Sequence, residues 1–205
     1  MPALHSQERM PMDRCLRLEN RHTGEILQMR RERDPSGEVA LIIEGSLPPR
    51  SNGPPPHVHF EQREEGRVQA GTLGARIGEK TLVVETGGDA VFAAGIVHSW
   101  WNAGENVLEF NGRVTPAVDL DHFLEALFAV LNASTTGRPS IFYLAHVLWR
   151  HRRTHAVVTP PMAIQRILFP AVLLIGRVLG KYKGQDWPGC PDSCKGAPWS
   201  ATAIA

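Results

Sequence analysis

Two histidines separated by a single residue open the stretch of this sequence that could carry chemistry. His57 and His59 follow a proline-rich segment, and Glu64 comes soon after them. If this segment is a strand, residues two apart point to the same face, so both imidazoles project inward. Glu64 follows after a short turn, and its carboxylate can return on the neighbouring strand to the same interior position. A third histidine, His98, stands at the start of a later predicted strand.

Three neutral imidazoles and one carboxylate suit a divalent first-row metal ion, with iron, manganese, nickel, copper and zinc all left open. If the coordination of the ion is close to octahedral, four protein ligands would leave two positions for water, substrate or dioxygen. An isolated pair of histidines at this spacing is more often two ordinary polar residues on a strand. The full set of four favours a metal site over a scaffold in which these residues persist without metal.

The segments that must position these residues read as short β-type runs between turn residues, from Cys15 to about Ala117. The segment from Leu47 to Pro56 contains five prolines and is expected to be a surface loop leading into His57. Several short strands at nearly even spacing predict an antiparallel sandwich or barrel. Besides the histidine segment, the predicted strands are residues 16–18, 26–29, 39–43, 67–70, 73–77, 81–84, 90–93, 99–101 and 107–114.

The pattern changes at Pro116, where apolar residues begin to recur at helical spacing from Leu120 to Leu131. A second helix is predicted over residues 140–152. A third follows Pro160 and Pro161, with Pro170 expected to bend it. We therefore expect a β-domain over residues 15–117, a helical extension over 118–183 and a disordered tail over 184–205, where Pro, Gly, Ser and Ala dominate without periodicity.

These residues resemble the motifs of the cupin superfamily. His57, His59, Glu64 and Gly71 match its first motif, HxH(x)4E(x)6G, at every specified position, and His98 with Asn102 matches the H(x)3N that closes the second. Ala93 stands where the second motif usually has proline. The resemblance covers roughly residues 20–116 and extends to a bacterial single-domain group that also carries C-terminal helices.

The resemblance implies a mostly β fold, a cupin jelly-roll barrel with a metal inside it, followed here by about three C-terminal helices. It also implies frequent dimerisation, so a homodimer is expected. By strand parity Trp100 and Asn102 share the face of His98, and we expect both, with Phe60, to bind substrate. Glu64 is expected to act as a catalytic base as well as a ligand.

Composition narrows the possible partners of this 205-residue chain. Its 22 basic and 21 acidic residues give a formal charge of +1, which disfavours nucleic acid as a partner. The apolar run of residues 167–176 is about half the length of a membrane span, so it is expected to be buried against the barrel or a second subunit rather than seated on a membrane surface. The first residues contain no apolar stretch typical of a secretory signal, which predicts a cytoplasmic protein.

Three functions remain open. The first is a metal-dependent oxidoreductase, dioxygenase-like, acting on a small organic substrate. The second is a metal-dependent isomerase, cyclase or decarboxylase, and the third is a non-catalytic small-molecule-binding barrel. His146, His151 and His155 lie among arginines and are expected to form a solvated face rather than a site.

Overall fold

The computed structural model describes residues 15–184 and 187–190. Within them the chain forms eleven strands and three helices. The elements are β1 (Cys15–Glu19), β2 (Ile26–Arg33), β3 (Val39–Leu47), β4 (His57–His59), β5 (Arg63–Ala70), β6 (Thr72–Ile77), β7 (Lys80–Glu85), β8 (Asp89–Phe92), β9 (His98–Asn102), β10 (Leu108–Thr115), α1 (Leu120–Asn132), α2 (Ile141–Arg150), β11 (His155–Val157) and α3 (Met162–Val178).

The strands make two antiparallel sheets, as the alternation of short β-runs and turns predicts. One sheet has the order β1-β2-β3-β10-β5-β8, and the other has the order β11-β4-β9-β6-β7. Apolar residues of both sheets meet in one cluster that includes Leu47, Val68, Leu73 and Leu108. The predicted mostly β fold with three C-terminal helices is confirmed.

Gly71 shows why the first motif ends on glycine. Its backbone has a φ of +82°, a conformation that side chains disfavour, at the turn between β5 and β6. A Cβ there would lie 2.6 Å from the carbonyl oxygen of Val107. The turn that returns the chain from the strand of Glu64 therefore requires a residue without a side chain.

Helix α1 packs on the first sheet through the apolar stripe that the sequence shows. Leu120 and Phe128 join Leu27, Leu41 and Val114 in one buried cluster. The same helix is tied to β2 by a buried ion pair. Arg31 donates from Nε and Nη2 to the two carboxylate oxygens of Asp121, each at 2.7 Å, and neither side chain is more than 3% exposed.

Strand β11 has no counterpart among the predicted elements. Its three residues pair with β4, His155 opposite His59 and Val157 opposite His57. A strand of this length carries no readable alternation, because it exists only through its pairing with a partner about a hundred residues earlier in the chain. The helical extension thus contributes an edge strand to the sheet that holds two predicted ligands.

Helix α3 continues through Pro170 and buries one face against α2, where Phe169 and Val172 pack with Ala145. Apolar residues on its other face are exposed in the single chain, Ile167 at 77% and Val178 at 80%. Within residues 15–184, none of the helices combines the length and the hydropathy that a bilayer crossing requires.

The predicted tail falls mostly outside the described residues, which leave out 185–186 and 191–205 as well as 1–14. The part that is described packs on the helical extension. The indole of Trp187 stacks on Tyr143, with ring centroids 5.7 Å apart, and meets the ring of His146 edge to face at 4.7 Å.

Candidate metal centre

The four predicted ligands converge on one point between the two sheets. His57 and His59 lie on β4, and His98 lies on β9 directly opposite His57. Glu64 reaches the same point from β5 in the other sheet. One ligand atom from each residue lies within 4.8 Å of all the others. Alternation on β4 and the turn before Glu64 bring them together, as the spacing predicts.

Backbone carbonyls fix the orientation of two of the imidazoles. Nδ1 of His57 donates to the carbonyl of Pro55 at 2.9 Å, and Nδ1 of His98 donates to the carbonyl of Ile96 at 2.9 Å. A carbonyl oxygen only accepts, so Nδ1 must carry the proton in each neutral ring. The lone pair of each Nε2 is then directed into the site.

Gln62, a residue that no sequence motif singled out, fixes the orientation of the His59 ring. The side-chain amide of Gln62 donates to the carbonyl of Ala117 at 3.0 Å, which turns its own carbonyl oxygen towards His59. That oxygen accepts a hydrogen bond from Nδ1 of His59 at 2.9 Å. Gln62 is only 1% exposed, so the bond is shielded from water. All three rings therefore present an unprotonated Nε2.

The resulting cluster of lone pairs fits a cation. Nε2 of His57 and Nε2 of His59 lie 3.1 Å apart with no proton between them. Oε2 of Glu64 lies 3.6 Å from Nε2 of His98 and 3.8 Å from Nε2 of His59. Ligands at ~2.1 Å from one ion stand about 3.0–3.4 Å apart, close to these separations. Nε2 of His98 is buried without a hydrogen-bond partner among the described residues, which costs about 1–3 kcal/mol unless an ion satisfies it.

The electrostatics of the site keep the histidines available as ligands. Burial lowers the pKa of His57 to about 3 and lowers the pKa of His59 below its usual value. Burial acts to raise the pKa of Glu64, but the adjacent His98 and His59 outweigh it, and that pKa is lowered. Burial thus favours neutral imidazoles at His57 and His59 beside the carboxylate of Glu64, and imidazole with carboxylate suits a divalent first-row metal.

Comparison with known proteins agrees with this geometry. The family model described as "Cupin domain" matches residues 43–114. Residues 43–114 form a cupin domain. The site lies within it, so the predicted cupin resemblance is confirmed for this part of the chain. A search of the curated proteins found no match.

Solved structures similar to the chain include three cupin-fold proteins, and their likeness concerns the fold alone. A predicted oxalate decarboxylase from Thermotoga maritima is 22% identical, with a TM-score of 0.40 over 50% of this chain and 91% of that one. KdgF from Halomonas sp. is 15% identical, with a TM-score of 0.41 over 48% and 84%. A sugar phosphate isomerase from Silicibacter pomeroyi is 24% identical, with a TM-score of 0.37 over 43% and 59%.

A cavity of about 430 Å³ opens beside the ligands of the cupin domain, with His57, His59 and Glu64 in its wall. This volume lies within the ~300–1,000 Å³ typical of small-molecule sites. Most of its lining is apolar. The lining side chains contributed by α1 are Leu120, Phe123, Leu124, Leu127, Phe128 and Leu131. The helical extension therefore completes the cavity, one of the two roles, capping the barrel mouth or building a dimer, that the sequence left open for these helices.

Of the three residues predicted to bind substrate, only Trp100 lines the cavity. Trp100 lines the cavity and packs edge to face on Phe110, with ring centroids 5.1 Å apart. Phe60 does not line it and is 37% exposed, because it follows His59 and so leaves on the opposite face. Phe60 and Asn102 lie outside this cavity, and the substrate-binding roles expected for them stay predictions.

Asn102 is a structural residue of the cupin domain. Its side-chain amide donates to the carbonyls of Leu47, Pro48 and Asn106 at 2.8–3.0 Å, and its carbonyl oxygen accepts from the backbone N–H of Gly104. The residue is 1% exposed and does not line the cavity. With its amide nitrogen and its carbonyl oxygen both bonded to the backbone, it holds the loop after β9.

One acidic side chain besides Glu64 lines the cavity. Glu25 precedes β2, and burial raises its pKa to about 7. A carboxyl group with that pKa is protonated in a large fraction of molecules at neutral pH, and in that form it donates a hydrogen bond. Glu25 thus adds a further polar group to a mostly apolar wall.

The histidines expected on a solvated face are instead enclosed. His151 and His155 are each 4% exposed. His155 also lines the cavity and lies edge to face on His59, with ring centroids 5.1 Å apart. Their neighbouring arginines suggested solvent exposure, but the pairing of β11 with β4 carries His155 inward.

Proposed function

We propose that this protein is a metal-dependent oxidoreductase that acts on a small, largely apolar organic substrate. The observation that carries the proposal is the apolar cavity of about 430 Å³ with three of the four ligands in its wall. His57, His59, Glu64 and His98 would hold the metal. A divalent first-row metal bound there supplies Lewis acidity and, if redox-active, one-electron chemistry with dioxygen as co-substrate.

The side chains of the cavity account for what the protein itself contributes. Trp100 and Phe110 offer flat apolar surface against which an aromatic or enolic ring packs. The leucines of α1 exclude water, which strengthens polar contacts inside the cavity. Glu25, in its protonated form, donates a hydrogen bond to a substrate oxygen. Glu64 would act as the base expected for it while its carboxylate is transiently released from the metal, accepting a substrate proton at Oε2.

The test begins with protein purified without an affinity tag, since a nickel column would load the site. Elemental analysis identifies the metal, and an oxygen electrode then screens aromatic and enolic compounds. Oxygen uptake that depends on the metal and disappears in His98→Ala supports the proposal. His22→Ala, an exposed histidine outside the cavity, is the matched control and retains full uptake.

The competing functions give different results in the same assays. Turnover that continues without oxygen identifies an isomerase, cyclase or decarboxylase and overturns the oxidoreductase proposal. Compounds that bind without turnover, with the same affinity in His59→Ala, identify a non-catalytic binding barrel.

A cytoplasmic homodimer is the state that we propose for this protein. Single molecules rarely expose a broad apolar face, and Ile167, Leu174 and Val178 are all more than 60% exposed on α3. A second copy of the chain packed on this face would remove them from water. Light scattering is expected to give twice the 22.6 kDa chain mass, falling to one chain in Ile167→Glu/Val178→Glu. Single-chain mass for the unmodified protein would overturn the dimer.

A further inference from the structure

A second cluster of metal-ligating side chains lies outside the cupin domain. Asp119, His151 and His155 offer one ligand atom each, all within 4.8 Å of one another. The three residues are 6%, 4% and 4% exposed. They come from three separate segments: the residue before α1, the residue after α2 and the first residue of β11.

Asp119 is committed to this cluster rather than to its own helix. It occupies the N-cap position of α1, where an aspartate usually accepts from a backbone N–H of the first turn, yet its side chain makes no capping hydrogen bond. Instead Oδ2 accepts from Nδ1 of His151 at 2.5 Å. The carboxylate of Asp119 therefore does not cap α1 and lies beside His151 and His155 instead.

The cluster leaves buried polar atoms unsatisfied. Oδ1 of Asp119 and Nε2 of His155 lie 3.2 Å apart, but neither has an aligned hydrogen-bond partner within the described residues. Nδ1 of His155 has none there either. The hydrogen bond to His151 satisfies Oδ2 of Asp119 and leaves its Oδ1 and both ring nitrogens of His155 without an aligned partner in the described part of the chain. A cation bound between Oδ1 and Nε2 would satisfy both and offset the buried negative charge.

We propose that Asp119, His151 and His155 form a second divalent metal site, of the kind that takes zinc. Two imidazole nitrogens and one carboxylate oxygen are a donor set that zinc accepts, with a fourth position for water. To bind through Nδ1, His151 would take the tautomer with its proton on Nε2, so the ion would replace the hydrogen bond to Asp119. The burial of all three residues favours a structural role. The ion would join the start of α1, the end of α2 and strand β11, which are three parts of the helical extension.

This site bears on the first one through β11. His155 lies opposite His59 in the pairing of β11 with β4. An ion bound to His155 would therefore fix the position of β11 beside the strand that carries His59. The inference is separate from the proposed function, because the two sites share no ligand. Their tests therefore fail independently.

The test is a count of bound ions in the full-length, untagged protein. The protein is stripped with a chelator, reloaded with Zn²⁺, freed of excess ion and analysed for metal per chain. Two ions per chain are expected. Asp119→Asn and His151→Ala avoid His155, which touches His59, and each is expected to bind one ion. His98→Ala is also expected to keep one, and His98→Ala/Asp119→Asn none.

Cobalt and thermal unfolding provide readouts that do not depend on activity. Co²⁺ bound to His98→Ala is expected to show the visible absorption bands of an ion with few nitrogen and oxygen ligands. The same bands are expected to be absent from His98→Ala/Asp119→Asn. Zn²⁺ is expected to raise the melting temperature of His98→Ala but not of the double variant, and His22→Ala is expected to behave as the unmodified protein.

A single ion per chain that His98→Ala removes would overturn the second site, and this result does not depend on the folding of any Asp119 variant. Two ions retained by Asp119→Asn would also overturn it. A single ion that Asp119→Asn removes and His98→Ala keeps would support the second site and overturn the proposed function instead.

Discussion

Gln62 accepts a hydrogen bond from Nδ1 of His59 at 2.9 Å, and it decides which nitrogen of that ring faces the metal centre. The orientation of the Gln62 amide is fixed in turn by the carbonyl of Ala117. A glutamine that is not itself a ligand therefore sets the tautomer of one. This relation leads to the first of four predictions.

Replacing Gln62 should weaken metal binding without removing a ligand. In Gln62→Leu the His59 ring loses its fixed tautomer, so metal affinity is expected to fall ~10–100-fold, the usual effect of removing such a partner. Competition with a chromophoric chelator measures it. Gln28→Leu, an exposed position on β2, is the control. Affinity within twofold of the unmodified protein would show that Gln62 does not orient the ring.

Breaking the buried pair between Arg31 and Asp121 should destabilise the protein strongly. Asp121→Leu leaves a guanidinium buried without its partner, and a loss of about 3–5 kcal/mol in the free energy of unfolding is expected. Arg31→Met/Asp121→Leu removes both charges and should lose less. Urea unfolding measures both.

An exposed ion pair provides the comparison for that experiment. Arg30 and Glu44 lie 3.3 Å apart with about half of each side chain exposed. Glu44→Leu is expected to cost less than ~1 kcal/mol. Equal costs for Asp121→Leu and Glu44→Leu would contradict the role assigned to burial.

The carboxyl of Glu25 should make stability fall as pH rises. Burial raises its pKa from the ordinary value of 4.5 to about 7 in the folded protein, so the folded state binds the proton more tightly. The resulting stabilisation is complete below pH 4.5 and is lost as the pH rises through 7. Relative to the unmodified protein, the free energy of unfolding of Glu25→Gln should therefore rise by ~1–3 kcal/mol as the pH increases from 4.5 to 7. One pKa unit corresponds to about 1.36 kcal/mol, and the range allows for partial exposure of the carboxyl.

Urea unfolding at low, intermediate and high pH measures that difference. Other titratable residues line the same cavity, namely His57, His59, Glu64 and His155, and their contributions cancel when the two proteins are compared at each pH. Glu38→Gln, at an exposed turn, is the control and should show no such gain. A Glu25→Gln difference that stays constant with pH would contradict the burial of this carboxyl.

Filling the cavity should block small-molecule binding and leave the metal centre intact. Leu124 lines the cavity from α1, and Leu124→Trp would place an indole in that space. The affinity for an apolar dye such as 1-anilinonaphthalene-8-sulfonate is expected to fall at least tenfold, while metal content stays the same. Val83→Trp, on the outer surface of β7, is the control. Unchanged dye affinity in Leu124→Trp would show that the dye, and by extension an apolar substrate, binds elsewhere.

The candidate ligands His57, His59 and Glu64 could be predicted from the sequence to lie together because their signals are local. His57 and His59 share a face through the two-residue period of a strand, and the turn before Glu64 and the glycine at 71 return the chain to the same place. The apolar stripe of α1 was readable for the same reason, since helical spacing repeats over a few turns. Residues close in sequence constrain one another directly, so type and spacing determine their geometry.

Only the tertiary structure decided the surroundings of those ligands. Gln62 orients His59 through a carbonyl 55 positions later, and His155 meets His59 because β11 pairs with β4. In the sequence, a single glutamine or a histidine among arginines has the pattern that is typical of exposed residues. Whether such a residue is buried, and beside what, depends on contacts between distant segments, and these form only when the sheets and helices pack together.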